Sequence, residues 1–243
     1  MLSIWSWITF GLGCILWLPA MAFVRLVTAP FDKGRYWTGY MFRKLPVVHQ
    51  HLNPLWTFRV SGDIPTDPRR PYIVVSNHES FVDILLISHL PFEMKWLSKA
   101  EIFKIPIVGW LMTLAGDIPL TRGKLSSVAD AMKQCEDRLA KKVSVMIFPE
   151  GTRSKSGELG VFKNGAFRLA IDTGIPILPI AVHGCHTALR PKDWRLGYST
   201  AEVRVLAPIQ VEGLTRKDIY AVRDQARNAI AAEIKVLRAE LGN

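Results

Sequence analysis

The chain has 243 residues, 49% of them hydrophobic, and a mean hydropathy of +0.15. This composition supports one sizeable core and excludes a disordered or collagen-like protein. Lysine and arginine exceed the acidic residues by 31 to 21, so the formal net charge is +10 and polyanions such as nucleic acid, anionic lipids or phosphorylated substrates are attracted. Cys14, Cys135 and Cys185 share no short spacing, which excludes a disulfide framework and favours a reducing compartment.

The first predicted element is an N-terminal membrane segment. Residues 1–24 carry no charged side chain and are long enough to cross a bilayer. No lysine or arginine precedes Arg25, which disfavours a cleaved signal peptide. Pro19 is expected to kink or break the helix. The segment is therefore predicted either to span the bilayer once or to enter one leaflet and return.

Residues 31–48 mix aromatic and basic side chains and are predicted to form an interfacial amphipathic element. The basic residues around this element outnumber the single acid Asp32. They are Arg25, Lys33, Arg35, Arg43 and Lys44. By the positive-inside tendency, this asymmetry places the following domain on the cytoplasmic side. The chain is accordingly divided into a membrane-associated part, residues 1–50, and a second domain, residues 51–243.

From residue 56 onward, apolar runs typical of strands alternate with runs typical of helices. Strands are predicted at residues 57–60, 72–75, 143–148, 177–182 and 203–206, with a short one ending near Arg122. Helices are predicted at residues 82–89, 105–114, 125–142, 165–173 and 217–241. The alternation predicts a single α/β domain with a central mixed sheet covered by helices, preceded by the membrane-embedded helical segment.

The motif SNHESFVD at residues 76–83 follows an apolar run and precedes a helix. A histidine at a strand end is a candidate general base near neutral pH, particularly when a carboxylate fixes its tautomer. Asp83 can reach back to His78 if the intervening loop turns tightly. The alternative is a helix N-terminal acid beside an unrelated histidine, and these two residues alone leave both interpretations open.

Two further motifs suit anion binding. FPEGTRS at residues 148–154 follows a strand, and Gly151 permits close backbone approach while Arg153 offers a fork that matches phosphate oxygens. FKNGAF at residues 162–167 looks like a basic loop that opens a helix, with Lys163 as its cation. No nucleophile elbow, phosphate-binding P-loop or dinucleotide fingerprint is present in the sequence.

Read in order, NH-x4-D, GDIPLTR ending at Arg122, FPEGTR and the proline-marked block at Pro176 resemble the four signature blocks of the glycerolipid acyltransferase family, in particular its bacterial 1-acylglycerol-3-phosphate acyltransferases. The resemblance runs over residues 77–181. In the second block, PLTR stands where the family usually has Phe-Ile-Asp-Arg, although Gly116 and Arg122 are retained. The uncharged N-terminus fits the membrane-embedded helical hairpin of that family.

The resemblance implies transfer of a fatty acyl group from acyl-CoA or acyl carrier protein to the sn-2 hydroxyl of 1-acylglycerol 3-phosphate. The product is phosphatidic acid for phospholipid synthesis, made at a bacterial-type inner membrane with the catalytic domain on the cytoplasmic side. His78 is implied as the general base and Asp83 as its partner. The implied phosphate and glycerol site comprises Arg122, Glu150, Gly151, Thr152 and Arg153, with Lys163, Lys99 and Lys104 as further candidate cations. Because a carboxylate does not bind phosphate, Glu150 is expected to accept from a hydroxyl or to hold Arg153. No metal or other cofactor is required.

Other functions compete with this interpretation. The acceptor is alternatively another lysolipid, such as a lyso-ornithine lipid or lysophosphatidylcholine. An alternative from another functional class is a membrane-tethered protein that binds anionic lipid or nucleic acid. The basic residues are scattered along the chain, and no nucleic-acid-binding motif is present in the sequence. No nucleic-acid partner is therefore expected. A metal-dependent hydrolase using His78, Glu79 and Asp83 is disfavoured because only one histidine lies there. His183, Cys185 and His186 are crowded but lack further ligands, so a strand end is favoured over a zinc site.

Overall fold

The computed structural model describes residues 1–154, 158–190 and 192–242. The helices are α1 Leu2–Thr28, α2 Tyr36–Leu52, α3 Val82–Ile87, α4 Val108–Ala115, α5 Leu125–Ala140, α6 Gly165–Thr173, α7 Cys185–Ala188 and α8 Ile219–Leu241, with short 3₁₀ turns at Ala100–Lys104 and Arg216–Asp218. The strands are β1 Trp56–Gly62, β2 Ile73–Ser76, β3 Met94–Lys99, β4 Ile118–Leu120, β5 Ser144–Ile147, β6 Ile177–His183 and β7 Ser199–Val205.

The strands form one mixed sheet with the order β1-β7-β6-β2-β5-β3-β4. The pairs β6–β2, β2–β5, β5–β3 and β3–β4 are parallel, as is β1–β7, while β7 runs antiparallel to β6. The predicted mixed α/β fold is therefore confirmed. Parallel neighbours are joined by helical crossovers that cover the sheet faces, which explains why the central strands read as continuous apolar runs.

Alternate residues of the central strands enter two separate cores. In β2, Val74 faces the core beneath α3 and α7, while Ile73 and Val75 face the core beneath α5, α6 and α8. β5 divides in the same way, with Met146 in the first core and Val145 in the second. The sheet is thus the middle of three layers, and each of its faces is buried in an apolar core.

The two N-terminal helices pack against each other and against α4. Cys14 and Met21 of α1 are buried with Leu45 of α2 and with Leu111 and Ala115 of α4. Among the described residues, α1 is the helix that is long and apolar enough to cross a membrane, judged by length and composition. Most of its surface stays exposed, because only four of its residues are buried.

Of the two effects predicted for Pro19, a kink or a break, the break was wrong, because α1 runs unbroken from Leu2 to Thr28. The proline lies on the exposed side of the helix, where its ring disturbs no packing. It removes one backbone donor, and the turns on either side keep the helix continuous.

Strand β3 and the burial of Arg43 were not predicted. Arg43 was expected on an interfacial surface, but its side chain is only 7% exposed and pairs with Glu93 and Asp117. Lys95, in the middle of β3, is fully buried against Glu93, with Nζ 2.8 Å from Oε1. Gly39 of α2 lies directly over this pair, where a Cβ atom would collide with the Glu93 carboxylate. A helix on this face of β3 is possible only because α2 has a glycine there.

Candidate active site

The chemical motifs meet at one edge of the sheet. β2, β5, β3 and β4 are parallel, so their carboxyl ends point in the same direction. His78 follows β2, Phe148 follows β5, Lys99 ends β3 and Arg122 follows β4. The topology therefore brings together residues that are far apart in the chain, such as His78 and Phe148, which are 70 positions apart.

His78 and Asp83 form a hydrogen-bonded pair, with Nδ1 of the imidazole 2.7 Å from Oδ2 of the carboxylate. The same Oδ2 accepts the backbone N–H groups of Glu79 at 2.7 Å and Ser80 at 2.9 Å. Because Asp83 only accepts here, the Nδ1 atom of His78 carries the proton. In that tautomer of the neutral ring, Nε2 is a hydrogen-bond acceptor.

Asp83 is fully buried, whereas the His78 side chain is 14% exposed. Behind the pair lie the Cys185 thiol, whose pKa is raised by burial and by the nearby carboxylates, and a second pair, Glu79 and His183. In that second pair Oε1 and Nδ1 are 3.4 Å apart, and burial raises the pKa of Glu79. The predicted strand end at His183 is observed, since β6 ends there.

An aromatic face supports the imidazole. The ring of Phe148 stacks on His78 with centroids 3.9 Å apart and an interplanar angle of 13°. The ring of Trp96 lies against the other side of this arrangement, 5.9 Å from Phe148 and tilted by 44°. An aromatic face favours a positive charge above it, so this stack suits an imidazole that becomes protonated during a reaction.

Glu150 holds the backbone of the histidine loop. Its Oε1 accepts the N–H of His78 at 2.9 Å, and its Oε2 accepts the N–H of Gly160 at 2.9 Å. Burial raises the pKa of Glu150, and these two backbone donors oppose that rise. Among the described residues no ion pair joins Glu150 to Arg153, and the Glu150 oxygens accept backbone N–H groups of His78 and Gly160. The Glu150 side chain thus connects the FPEGTR motif to the loop that carries His78.

Gly151 has φ +73°, a conformation that side chains rarely adopt, and its N–H donates to the carbonyl of Phe148. The Nζ of Lys163 lies beside Gly151, at the place where a Cβ atom would project. Thr152 and Arg153 follow this turn and are exposed. The turn thus lines the cleft with Gly151, Thr152 and Arg153, whereas the predicted cation Lys163 contacts the turn at Gly151 and is not among the cleft-lining residues.

A cleft of about 540 Å3 opens at this edge of the sheet. Its apolar lining residues are Phe81, Ile84, Trp96, Leu97, Ile102, Leu120, Ile147 and Phe148. Its polar lining residues include His78, Ser98, Gly151, Thr152 and Ser154, and its cations are Lys99, Arg122, Arg153 and Lys192. Across the described ranges, no carboxylate lies within ion-pair distance of the cleft residues Arg122, Arg153 and Lys192, so their charges are available to an anion.

Sequence reasoning missed two residues of this region. Lys192 lines the cleft from a loop, with φ +64°, and no motif marks it. Asn77 belongs to the first block, and its side chain binds both backbone groups of Val182, donating to the carbonyl at 2.7 Å and accepting the N–H at 2.9 Å. This contact fixes the histidine loop to β6. Lys104, a candidate cation, lies outside the cleft lining.

No group of three or more His, Cys, Asp or Glu side chains within the described part of the chain is arranged to hold a metal ion. All three cysteines are free and buried.

The acyltransferase family model matches residues 57–183, which is more than half of the chain. The chain belongs to the acyltransferase family. The matched range contains the histidine pair, Arg122, the FPEGTR turn and Lys163, whereas Lys192 and both N-terminal helices lie outside it.

Curated relatives support this membership. The chain is 44% identical over 182 residues to 1-acyl-sn-glycerol-3-phosphate acyltransferase LPAT1, chloroplastic, of Arabidopsis thaliana, covering 74% of this chain and 50% of that one. It is 34% identical over 222 residues to 1-acyl-sn-glycerol-3-phosphate acyltransferase alpha of Homo sapiens, covering 90% and 76%. The chain therefore spans about half the length of the plant relatives it matches.

The fold of this acyltransferase is also similar to a solved structure. The crystal structure of the 1-acyl-sn-glycerophosphate (LPA) acyltransferase, PlsC, from Thermotoga maritima superposes with a TM-score of 0.81 over 98% of this chain and 95% of that chain, at 23% identity. The superposition includes the N-terminal helices, so the same overall architecture extends across nearly the whole chain.

Proposed function

We propose that this acyltransferase moves a fatty acyl group from an acyl thioester to the sn-2 hydroxyl of 1-acylglycerol 3-phosphate and produces phosphatidic acid. The observation that carries the proposal is the hydrogen-bonded pair of His78 and Asp83 at the wall of a cleft that also presents Arg122 and Arg153, for which the described residues provide no carboxylate partner. The Arabidopsis and human relatives are 1-acyl-sn-glycerol-3-phosphate acyltransferases by name, which agrees with the proposed acceptor.

In the proposed reaction, Nε2 of His78 accepts the proton of the acceptor hydroxyl as its oxygen attacks the thioester carbonyl. The Asp83 carboxylate stabilises the imidazolium that forms. When the tetrahedral intermediate collapses, the carbon–sulfur bond breaks and the imidazolium returns the proton to the thiolate, so an ester and a free thiol result. General-base help of this kind contributes about 10²–10⁴ in rate.

The cations of the cleft support a phosphomonoester acceptor. A phosphomonoester carries more than one negative charge near pH 7 and offers three oxygens, which suits two arginine forks and a lysine. Arg122 follows β4 and Arg153 follows β5, so the two side chains can bind one phosphate from different directions. Lysophosphatidylcholine carries a diester with a neighbouring cation, and a lyso-ornithine lipid carries no phosphate. Neither alternative needs this many cations in the cleft.

The test is an acyl-transfer assay with purified protein, radiolabelled acyl-CoA or acyl carrier protein in parallel, and the three lysolipids as acceptors. We expect 1-acylglycerol 3-phosphate to be the preferred acceptor. Arg153→Lys keeps the charge but loses the bidentate fork, so it should raise the KM for this acceptor about tenfold and leave the donor KM nearly unchanged.

Arg168→Lys is the matched control, because Arg168 is an exposed arginine on α6 that pairs with Asp172 away from the cleft. It should change neither KM. An equal rise in both KM values for Arg153→Lys would contradict the phosphate role. A preference for lysophosphatidylcholine or the lyso-ornithine lipid would contradict the proposed acceptor.

The position of α1 supports attachment to one leaflet of the membrane. Near its N-terminus, Trp7 donates from Nε1 to the carbonyl of Trp194 at 2.7 Å, and Ser3 accepts the N–H of Leu196 at 3.0 Å. Further along, Met21 packs near α4. A helix that contacts the catalytic domain at both ends lies along that domain, which favours embedding in one leaflet over crossing both. The exposed Lys33 and the neighbouring Arg25 support a cytoplasmic location for the domain.

The proposed membrane face extends to α4. Residues 105–116 carry no charge, and Ile105 and Trp110 are about half exposed beside α1. A dye-labelled cysteine at Trp110→Cys should therefore be shielded from water and quenched by spin-labelled acyl chains when anionic vesicles are added. Tyr220→Cys, at a similarly exposed aromatic on α8, is the control and should not respond. Selective labelling is feasible because the native cysteines are buried. Equal responses at both positions would contradict this membrane orientation.

A further inference from the structure

We propose that Arg43 of helix α2 is a positioning residue for the catalytic imidazole, acting through Trp96 and Phe148. The inference rests on the proposed function and assigns the N-terminal helices a second role. They would complete the active site as well as hold it at a membrane. Arg43 lies outside the residues that match the family model.

The first contact is between Arg43 and the loop that precedes β4. One terminal nitrogen of Arg43 donates to Oδ1 of Asp117, and that same oxygen accepts the backbone N–H of Trp96 at 3.0 Å. The guanidinium also donates to the carbonyl of Met94 at 3.3 Å. The arginine and Asp117 thus hold the backbone of β3 on both sides of residue 95.

The second contact is between side chains. The guanidinium carbon of Arg43 lies 5.4 Å from the centre of the Trp96 ring, within the range of a cation–π interaction. Trp96 meets Phe148 at 5.9 Å, and Phe148 stacks on His78 at 3.9 Å. These contacts form a continuous series from helix α2 to the His78 ring.

Burial makes this series rigid. Arg43, Glu93 and Asp117 have side chains that are 7%, 0% and 1% exposed. Lys95 completes the charge balance, because its Nζ lies 2.8 Å from Glu93 and donates to the carbonyl of Arg35 at 2.7 Å. Two buried cations and two buried carboxylates form a neutral cluster, and removal of one member leaves an unpaired buried charge. Arginine suits this position because one guanidinium nitrogen bonds Asp117 and the carbonyl of Met94 while the guanidinium carbon lies over the indole, a combined geometry that the shorter reach of a lysine point charge does not reproduce.

The position of the His78 ring depends on two contacts, namely Asp83 at its edge and Phe148 on its face. Displacement of a catalytic group by about 1 Å costs up to about 10²-fold in rate. If the Arg43 series holds Phe148 in place, its loss should lower kcat. The KM for the acceptor should stay nearly unchanged, because its phosphate is proposed to bind Arg122 and Arg153.

The test compares Arg43→Lys, Trp96→Leu, the double variant and Trp96→Phe in acyl transfer. We expect about a tenfold loss of kcat in each of the first two, with KM changed less than twofold. The double variant should be no slower than the slower single variant, because both changes break one series. Trp96→Phe retains a ring against Phe148 and should restore most of the rate.

Phe92→Leu is the matched control, since Phe92 is a buried aromatic of the same core that is not part of the series. It should lower Tm without lowering kcat. A double variant about a hundredfold slower, or a Phe92→Leu loss of kcat equal to that of Trp96→Leu, would overturn the inference and make Arg43 merely structural.

A spectroscopic measurement keeps this test separate from that of the reaction. In ¹⁵N-histidine-labelled protein, the Nδ1–H signal assigned with His78→Ala should shift or broaden in Arg43→Lys and stay in place in Phe92→Leu. An unmoved signal in Arg43→Lys would overturn the inference. Wild-type protein without acyl transfer would contradict the proposed function and leave this result to stand on its own.

Discussion

Replacement of His78 by alanine is expected to reduce acyl transfer by about 10²–10⁴-fold, because the reaction loses its general base. The side chain lines the cleft, and its partners Asp83 and Phe148 are held by other contacts. Folding should therefore change little, by about 1 kcal/mol for the lost ring stacking. Steady-state rates at saturating acceptor, together with Tm, measure both quantities.

His89→Ala is a matched control for this experiment. His89 is also a half-buried histidine in contact with a phenylalanine, since its ring meets Phe58 edge to face at 5.4 Å, but it lies outside the cleft lining. It should lose a similar amount of stability and retain its rate. Near-normal turnover in purified His78→Ala would remove the proposed base from the mechanism.

The central strands β2, β5 and β6 were predicted correctly because each has an uninterrupted hydrophobic pattern. The runs at β2, β5 and β6 are buried on both faces, and such strands are read directly from the sequence. β3 was missed because Lys95 interrupts its apolar residues. A single sequence reads a lysine as exposed, whereas here its charge is neutralised by Glu93.

The burial of Arg43 was also missed, because the residue that neutralises it is distant in the sequence. Its partner Asp117 is 74 positions away, and nothing local distinguishes a buried arginine from the exposed basic residues around it. The membrane character of α1 was evident from its uncharged length alone. The manner in which α1 lies along the domain was not, because that depends on hydrogen bonds from Trp7 and Ser3 to a loop nearly two hundred residues later.

The parts of the candidate site that lie within sequence motifs were predicted. The first and third blocks identified the histidine pair and the arginine turn, and strand topology explains why they meet. Roles inside a block were harder to infer. Glu150 was assigned to substrate or to Arg153, yet its two oxygens bind backbone N–H groups of His78 and Gly160. Lys192 has no motif, and only the fold places it at the cleft.

Replacement of Asp83 by asparagine should separate charge from geometry. In a serine-protease triad the corresponding change favours the wrong imidazole tautomer. Here the N–H groups of Glu79 and Ser80 both point at Oδ2, so the amide oxygen of an asparagine must occupy that position and must continue to accept from His78. The tautomer is then retained, and only the negative charge that stabilises the imidazolium is lost.

A charge pair at about 4 Å is worth about 4 kcal/mol at an effective dielectric constant of 20, so the expected loss in kcat is about 10²–10³-fold, with the acceptor KM nearly unchanged. Asp218→Asn is the control, because Asp218 also accepts a backbone N–H at a helix start, from Thr215 at 2.8 Å, but lies just before α8 and outside the cleft lining. Asp218→Asn should lower the stability and leave kcat unchanged.

The retained tautomer is visible as a persistent Nδ1–H signal of His78 in ¹⁵N-histidine-labelled Asp83→Asn protein. Loss of that signal would show that the amide has turned, and a rate close to wild type would show that the Asp83 charge does not act in the reaction.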